Sequence, residues 1–421
     1  MNHITAMLLK NVLWEDSRAN ILIQGNLISK VSREPIDVPV SEEVIDCSGK
    51  AVIPGFVNSH THAAMIMLRG INEDLTLYQW LDKVWASEAK MDGEFIYWGT
   101  KAACLEMIKS GTTTFNDQYW FPSHARKAAV EMGLRPAVSF IFLDSQDPKM
   151  AAMQRIACQK LYEKSLDWGT KSLFTISIHS VYTVTEENIL WAADFARDRG
   201  LKIHMHLAET AQEDKDCRRL HKGLSPTEYF DALGIFGPDV IAAHCLFLSD
   251  KDIDILGSHK VSCVHNINSN LKLASGYQFR FKELQEAGAN VCLGTDGAAS
   301  SNTVDILEHM KNSAMVQKAW RRDPAALPLN ELLASATSNG AKALGINTGE
   351  IKEGMLADLS LIDLGGTAFI SPAPTLANLV YAAHSDVITD VMAGGRWIMR
   401  NRQVPNEEEI LSEARRVLKK I

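Results

Sequence analysis

The sequence predicts an α/β fold: an eight-stranded (β/α)8 barrel of the TIM type, carrying a small β-sandwich domain formed from both chain ends. Three observations predict it. Eight short apolar runs alternate with helical stretches over roughly 250 residues. Polar residues with metal and proton chemistry collect at the carboxyl ends of those runs, and β-type segments with turn residues stand at both ends of the chain.

The runs read as strands are Val52–Val57, Thr112–Asn116, Arg135–Phe140, Leu173–Ile178, Lys202–Leu207, Val240–Ala243, Val261–Val264 and Val291–Gly294. Between them, Phe95–Lys109, Glu186–Arg199 and Phe281–Ala287 show the apolar spacing of helices. A doubly wound open sheet is the second reading. It would carry a Gly-rich phosphate turn after its first strand, where this chain has Asn58-Ser59-His60. At the chain ends, Ile21–Gln24, Gly25-Asn26 and Leu27–Val31 match Leu359–Ile362, Val391-Met392, Gly394-Gly395 and Trp397–Met399 in character. Residues 1–50 and 348–421 are therefore expected to pair into one composite β domain beside a barrel of residues 51–347.

The 421 residues are 46% apolar and 22% charged, the balance of a globular protein with a sizeable core. A formal charge of −8 without a long basic run argues against nucleic acid and anionic membranes and for a small-molecule partner. The seven cysteines are scattered and form no CxxC pair, which argues for reduced core thiols and against a cysteine-held metal. Neither a secretory signal nor an apolar stretch of membrane-spanning length is found. The expected setting is the cytoplasm, with the oligomeric state, a homo-oligomer included, left open.

Barrel enzymes build their sites at the carboxyl ends of strands. There stand His60 and His62 after the first run, His179 after the fourth, His204, His206 and Glu209 at the fifth, and His244, His265 and Asp296 after the sixth, seventh and eighth. Thirteen histidines could give one His-x-His pair by chance; two, each at a strand end, need another explanation. Alternating residues on a strand point to one face, so both rings of a pair can converge on a cation. His60, His62, His206 and Asp296 would supply three nitrogens and one oxygen, a set suited to Zn2+ with a position left open, Fe2+ being the alternative. His204 reads as a core residue, and His3, His124, His221, His259, His309 and His384 as surface or helix residues. Glu209 beside a metal could carry protons between water and substrate. Asp296 could instead cap a helix, but it also ends the strand that closes the barrel.

With these residues assembled, the chain resembles the amidohydrolase superfamily. The resemblance rests on Pro54-Gly55-Phe56-Val57-Asn58-Ser59-His60-Thr61-His62, Ser110-Gly111-Thr112-Thr113-Thr114, His206-Leu207-Ala208-Glu209-Thr210, Ala243-His244-Cys245, Ser269-Asn270-Leu271-Lys272-Leu273 and Gly294-Thr295-Asp296-Gly297. Within the superfamily these segments look most like deaminases of S-adenosylhomocysteine, 5′-methylthioadenosine and adenosine. That branch implies one metal on His60, His62, His206 and Asp296, a proton-shuttling Glu209 and a water-orienting His244. It implies catalysis by Glu209, His244 and Asp296, with Asp296 taking the water proton and Glu209 donating to the purine ring. The segment Trp80–Glu88 resembles a lid, so Trp80 and Glu88 are expected on the substrate, Glu88 on ribose hydroxyls, together with His179 and Glu209.

Leu173–Ile178 lacks the lysine that binuclear relatives carboxylate. Two departures touch the substrate loops: Ile178-His179-Ser180-Val181-Tyr182 and His265-Asn266-Ile267-Asn268 lack prolines common in the superfamily. Residues 136–154 hold Lys149 but no arginine, which favours an uncharged 5′ group over an amino-acid carboxylate. Guanine, pterin or triazine aminohydrolases are the alternatives on this scaffold, and a non-catalytic relative is a remote one. Cytidine-type zinc deaminases are excluded, since their PCxxC segment is absent.

Overall fold

The computed structural model describes residues 6–38, 43–71, 73–371 and 374–421. Numbered in chain order, the strands are β1 (Ala6–Trp14), β2 (Ser17–Gln24), β3 (Leu27–Ser32), β4 (Glu43–Asp46), β5 (Lys50–Pro54), β6 (Phe56–Thr61), β7 (Thr112–Asp117) and β8 (Arg135–Phe142). Next come β9 (Leu173–Ile178), β10 (Ile203–Leu207), β11 (Val240–His244), β12 (Ser262–His265), β13 (Asn290–Leu293), β14 (Leu359–Asp363), β15 (Ile388–Ala393) and β16 (Arg396–Met399).

Strands β6 to β13 form one parallel sheet in chain order, the pattern that successive β-α units produce. The sheet curls into a barrel whose two ends meet just beyond β13. There the amides of Thr295 and Asp296 both donate to the His60 carbonyl at 3.0 Å, and Asn58 Nδ2 donates to Thr295 Oγ1 at 2.7 Å. Val57, Ala137, Ile241, Val264 and Cys292 fill the amino-terminal end of the barrel and pack against Ala341 and Leu344 of helix Ser338–Leu344. The apolar plug leaves the carboxyl end to polar groups.

The second sheet runs β16-β15-β14-β5-β1-β2-β3, with β4 also on β1. It is one continuous sheet folded around its own core of Leu9, Ile21, Ile23, Ile28, Val52, Leu359, Leu361 and Met392. Its middle joins the two chain ends through the antiparallel pairing of β5 with β14. Gly394 and Gly395, both left-handed at φ 55 and 73, make the two-residue turn between β15 and β16.

One expectation from the sequence is corrected by the fold. Val52–Val57 is not a single barrel strand: Val52 to Pro54 belong to β5 in the second sheet, and the first barrel strand begins at Phe56. Both halves are buried, so the apolar run does not reveal the break. Pro54-Gly55 makes it. A Cβ on Gly55 would meet the Thr113 side chain without room to spare.

Two helices flank the carboxyl end of the barrel near β6 and β7, α1 (Leu77–Glu88) and α2 (Gly93–Lys109). The carboxyl-terminal helix Glu407–Leu418 lies beside α2, with Glu407 paired to Lys109 at 2.5 Å. Among the described residues no helix is long and apolar enough to cross a membrane.

Candidate active site

Barrel closure brings separate strand ends together. His60 lies on β6, His62 just past it, His206 on β10, His244 at the end of β11, and Asp296 three residues beyond β13. His60 Nε2 and His62 Nε2 lie 3.2 and 3.1 Å from Asp296 Oδ1, and His62 Nε2 lies 3.4 Å from His206 Nε2. Their other ring nitrogens are held from behind. His62 Nδ1 donates to the Gln118 carbonyl at 2.5 Å, His206 Nδ1 to the His179 carbonyl at 2.9 Å, and His60 Nδ1 pairs with His204 Nε2 at 2.8 Å. With a proton on each Nδ1, each Nε2 faces inward and is a lone pair whenever its ring is neutral. His204 thus backs His60 from the core, as its reading as a core residue anticipates.

Asp296 is fixed on its far side. Its Oδ2 accepts from Ser269 Oγ at 2.6 Å and Ser300 Oγ at 2.9 Å, which leaves Oδ1 to the histidines. Burial pulls the His60 ring down to about 4. His62 is also buried, but its hydrogen bond to Asp296 and that carboxylate's charge prevail and lift the ring to about 9. The centre holds three buried rings around one carboxylate and favours positive charge at its middle.

Glu209 stands beside this centre, with Oε2 3.8 Å from His244 Nε2. Burial, and then the charge of Asp296, push its carboxyl up to about 8, so it is a neutral acid at pH 7. Its backbone is anchored by Glu213, whose carboxylate accepts from the amides of Ala208 at 2.9 Å and Glu209 at 2.7 Å. Ala208, His244, Cys245 and Asp296 all have left-handed φ, between 50 and 76. Strained backbone of this kind collects where side chains must be aimed. His244 Nδ1 receives Asn270 Nδ2 at 2.9 Å.

Helix α1 covers the mouth. Thr76 starts it, its amide donating to Gln79 Oε1 at 3.3 Å in a capping box. Leu77, Trp80, Leu81, Val84 and Glu88 recur at helical spacing and line the cavity beneath, joined by His179 from the far wall. Trp80 Nε1 is buried with no acceptor among the described residues. Glu88 Oε2 accepts from Trp120 Nε1 at 3.0 Å, and burial raises its carboxyl. His179 Nδ1 pairs with Thr183 Oγ1 at 2.9 Å, and burial takes its ring down to about 3. The space left there for the centres of water-sized molecules is about 60 Å³. A larger cavity of about 1110 Å³ lies at the other end, between barrel and second sheet, and among the described residues no histidine lines it.

The sequence model of the amidohydrolase family matches residues 51–398, the whole barrel and the strands that return to the second sheet. The chain belongs to the amidohydrolase family. This amidohydrolase is 39% identical over 419 residues to a 5′-deoxyadenosine deaminase of Methanospirillum hungatei, covering 98% of this chain and 92% of the relative. It is 40% identical to 5-methylthioadenosine/S-adenosylhomocysteine deaminase 1 of Archaeoglobus fulgidus, covering 96% and 95% of the two chains. The crystal structure of an adenosine deaminase from Xanthomonas campestris with bound zinc superposes with a TM-score of 0.90 at 28% identity, covering 99% of this chain and 98% of that one.

The structure gathers every residue given a site role from the sequence: His60, His62, His206, Glu209, His244 and Asp296 at the centre, Trp80, Glu88 and His179 on the walls. His309 sits on a helix as expected, but it is buried and bonded to the Asp305 carbonyl at 2.9 Å. His3 lies outside the described residues. Sequence reasoning passed over Gln118, Glu213, Asn270 and Ser300. Gln118 and Asn270 act on histidines from other strand ends, Glu213 and Ser300 on groups four to five residues before them, and of the four only Asn270 lies in a segment that carries the resemblance.

Proposed function

We propose that this amidohydrolase hydrolyses the 6-amino group of adenine nucleosides with one metal ion held by His60, His62, His206 and Asp296. The observation that carries the reading is the buried Glu209 carboxyl, 3.8 Å from His244, beside four donors that converge on one point. The donor set fits a cation: the inward Nε2 atoms of His62 and His206 lie 3.4 Å apart, and His60 and His62 both face Asp296 Oδ1 within 3.2 Å, so a positive charge belongs between them. Three imidazole nitrogens and one carboxylate suit Zn2+, with Fe2+ as the alternative. A bound divalent ion would make water nucleophilic at neutral pH. β9, Leu173–Ile178, has no lysine to bridge a second ion.

The chain's own residues do the rest. Asp296 takes the proton of the attacking water, and His244 orients its oxygen. Glu209 donates its proton to ring N1, which makes C6 electrophilic; Asp296 then hands the water-derived proton to the departing amino group, which leaves as ammonia, while the C6 hydroxyl proton restores Glu209. Glu88 is placed to accept from ribose hydroxyls, Trp80 Nε1 offers a donor without a partner, and His179 contacts the base. Among the described residues no lysine or arginine lines the cavity. Arg155 is paired with Glu187 at 2.7 Å, and Arg135 with Asp358 near the amino-terminal end of β8. With Ile141 and Leu143 on the wall instead, the 5′ group is uncharged: 5′-deoxy or 5′-methylthio rather than an amino acid. In this reading residues 55–347 are the catalytic barrel, 1–54 and 348–421 the composite domain that braces it, and the protein acts on a free nucleoside in the cytoplasm.

The test is the ultraviolet change when zinc-loaded protein meets 5′-methylthioadenosine, with Asp296→Asn as control. A shift from adenine-like to hypoxanthine-like absorbance, lost in the control, is the expected result. A metal-replete protein that gives no shift overturns the nucleoside assignment and turns the search to guanine, pterin or triazine substrates.

A further inference from the structure

The Ser269-Asn270 pair lies in a segment that carries the resemblance, yet neither side chain takes part in the proton transfers of the deamination. It begins the inner face of helix Ile267–Lys272, directly after β12, and both side chains are fully buried. The two neighbouring side chains reach two different residues of the centre. Ser269 Oγ donates to Asp296 Oδ2 at 2.6 Å, and Asn270 Nδ2 donates to His244 Nδ1 at 2.9 Å.

We propose that Ser269 and Asn270 are positioning residues that divide the labour of the centre, Ser269 turning Asp296 toward the cation site and Asn270 keeping His244 out of it. The argument for Asn270 is one of ring tautomers. A neutral imidazole carries one N–H. His62 and His206 each give their Nδ1 hydrogen to a backbone carbonyl, so in the neutral ring the inward Nε2 is the lone pair. His244 is backed by an amide N–H instead of an acceptor, and Asn266 Nδ2 stands 3.5 Å from the same nitrogen. With the Asn270 amide N–H turned to the ring, Nδ1 accepts and the inward Nε2 carries the hydrogen. An N–H cannot also bind a cation. By distance alone, His60, His206 and His244 could form a ligand group. Asn270 dissolves that group and leaves His244 a fixed donor aimed toward Glu209 and the attacking oxygen.

Ser269 acts on the carboxylate. With Ser300 it satisfies Oδ2, so only Oδ1 is left to face His60 and His62. Both roles rest on the deaminase reading of the site, but their first test does not depend on it.

That test is nitrogen-15 NMR of zinc-loaded protein labelled in its histidine rings. The expected result for His244 is an Nε2–H tautomer with an unprotonated Nδ1. A His244 ring protonated at Nδ1 overturns the proposal, whatever the enzyme's substrate. Asn270→Ala should then give mixed tautomers at His244, with kcat down roughly 10–100-fold, as for other outer partners of metal sites. KM should stay within about 3-fold and zinc content should be unchanged. A raised KM with unchanged kcat would mark Asn270 as a substrate contact and reject the positioning role. For Ser269, the double variant S269A/S300A should lose zinc to a chelator roughly 10–100-fold more readily than wild type; equal retention rejects its role. Should the wild type fail to deaminate any adenine nucleoside, the functional reading falls while the NMR and zinc-retention results still decide this one.

Discussion

Glu209 has the environment a proton donor needs at neutral pH. Buried, and next to Asp296, its carboxyl titrates near 8 instead of in the usual carboxylate range. The protonated form is the working one, so kcat should hold below that pH and fall as pH rises through about 8. A pH–rate profile checks it, and an alkaline limb unchanged by Glu209→Gln would assign the limb elsewhere. Glu209→Gln itself should keep its metal, measured by elemental analysis, and lose ~10²–10⁴ in kcat. At this scale the sequence was largely legible. Two His-x-His pairs and an aspartate after the last barrel strand announce the centre because strand alternation and barrel closure convert spacing into convergence. Asn270 and Glu213 were not legible, because what they do depends on the hydrogen bonds they make to His244 and to the backbone before Glu209, and spacing carries no sign of either.

Elements add aim and cover. Glu213 begins helix Ala211–Leu220, and its carboxylate reaches back to two amides of the strand end. Glutamine there can accept from only one of them, so Glu213→Gln should lower kcat while leaving zinc content intact. Unchanged turnover would reduce Glu213 to a helix anchor. Helix α1 covers the site, with Leu77, Trp80, Leu81, Val84 and Glu88 turned to the cavity. Glu88 sits at its last turn. Glu88→Ala should raise KM for adenosine about 10- to 100-fold, the worth of a hydrogen bond to a charged group, with a smaller change in kcat; steady-state kinetics decides. The amphipathic spacing of α1 was readable as a lid-like segment. The β5–β6 break was not, because a strand entering one sheet and a strand entering another look alike when both are buried.

At the scale of the whole molecule, barrel and second sheet are fastened by a buried ion pair. Asp358 is fully buried and accepts from Arg135, from Thr348 Oγ1 at 2.9 Å and from the Gly394 amide at 2.6 Å. Removing one member of such a pair leaves an uncompensated charge and costs about 3–5 kcal/mol. Arg135→Ala should therefore lower the midpoint of thermal unfolding with little effect on kcat at low temperature, because Arg135 touches none of the groups at the centre. A variant as stable as wild type would show the pair to be dispensable. That barrel and second sheet share the chain unevenly was visible in the turn-rich segments at both ends; that they are stitched by a charge pair was not, since Arg135 and Asp358 are far apart in sequence.

The pairing of β5 with β14 also sets an order in time. A ribosome reaches β14 about 300 residues after β5, which at 5–20 residues per second is roughly 15–60 s. Throughout that interval the first half of the second sheet has an open apolar edge, while the barrel strands that come after it are being made. An open edge is a template for pairing with other chains. A chain that stalls or is cut before Leu359 therefore carries a finished set of barrel strands and an unguarded strand, and its fate is aggregation or capture by a chaperone, however sound its catalytic residues.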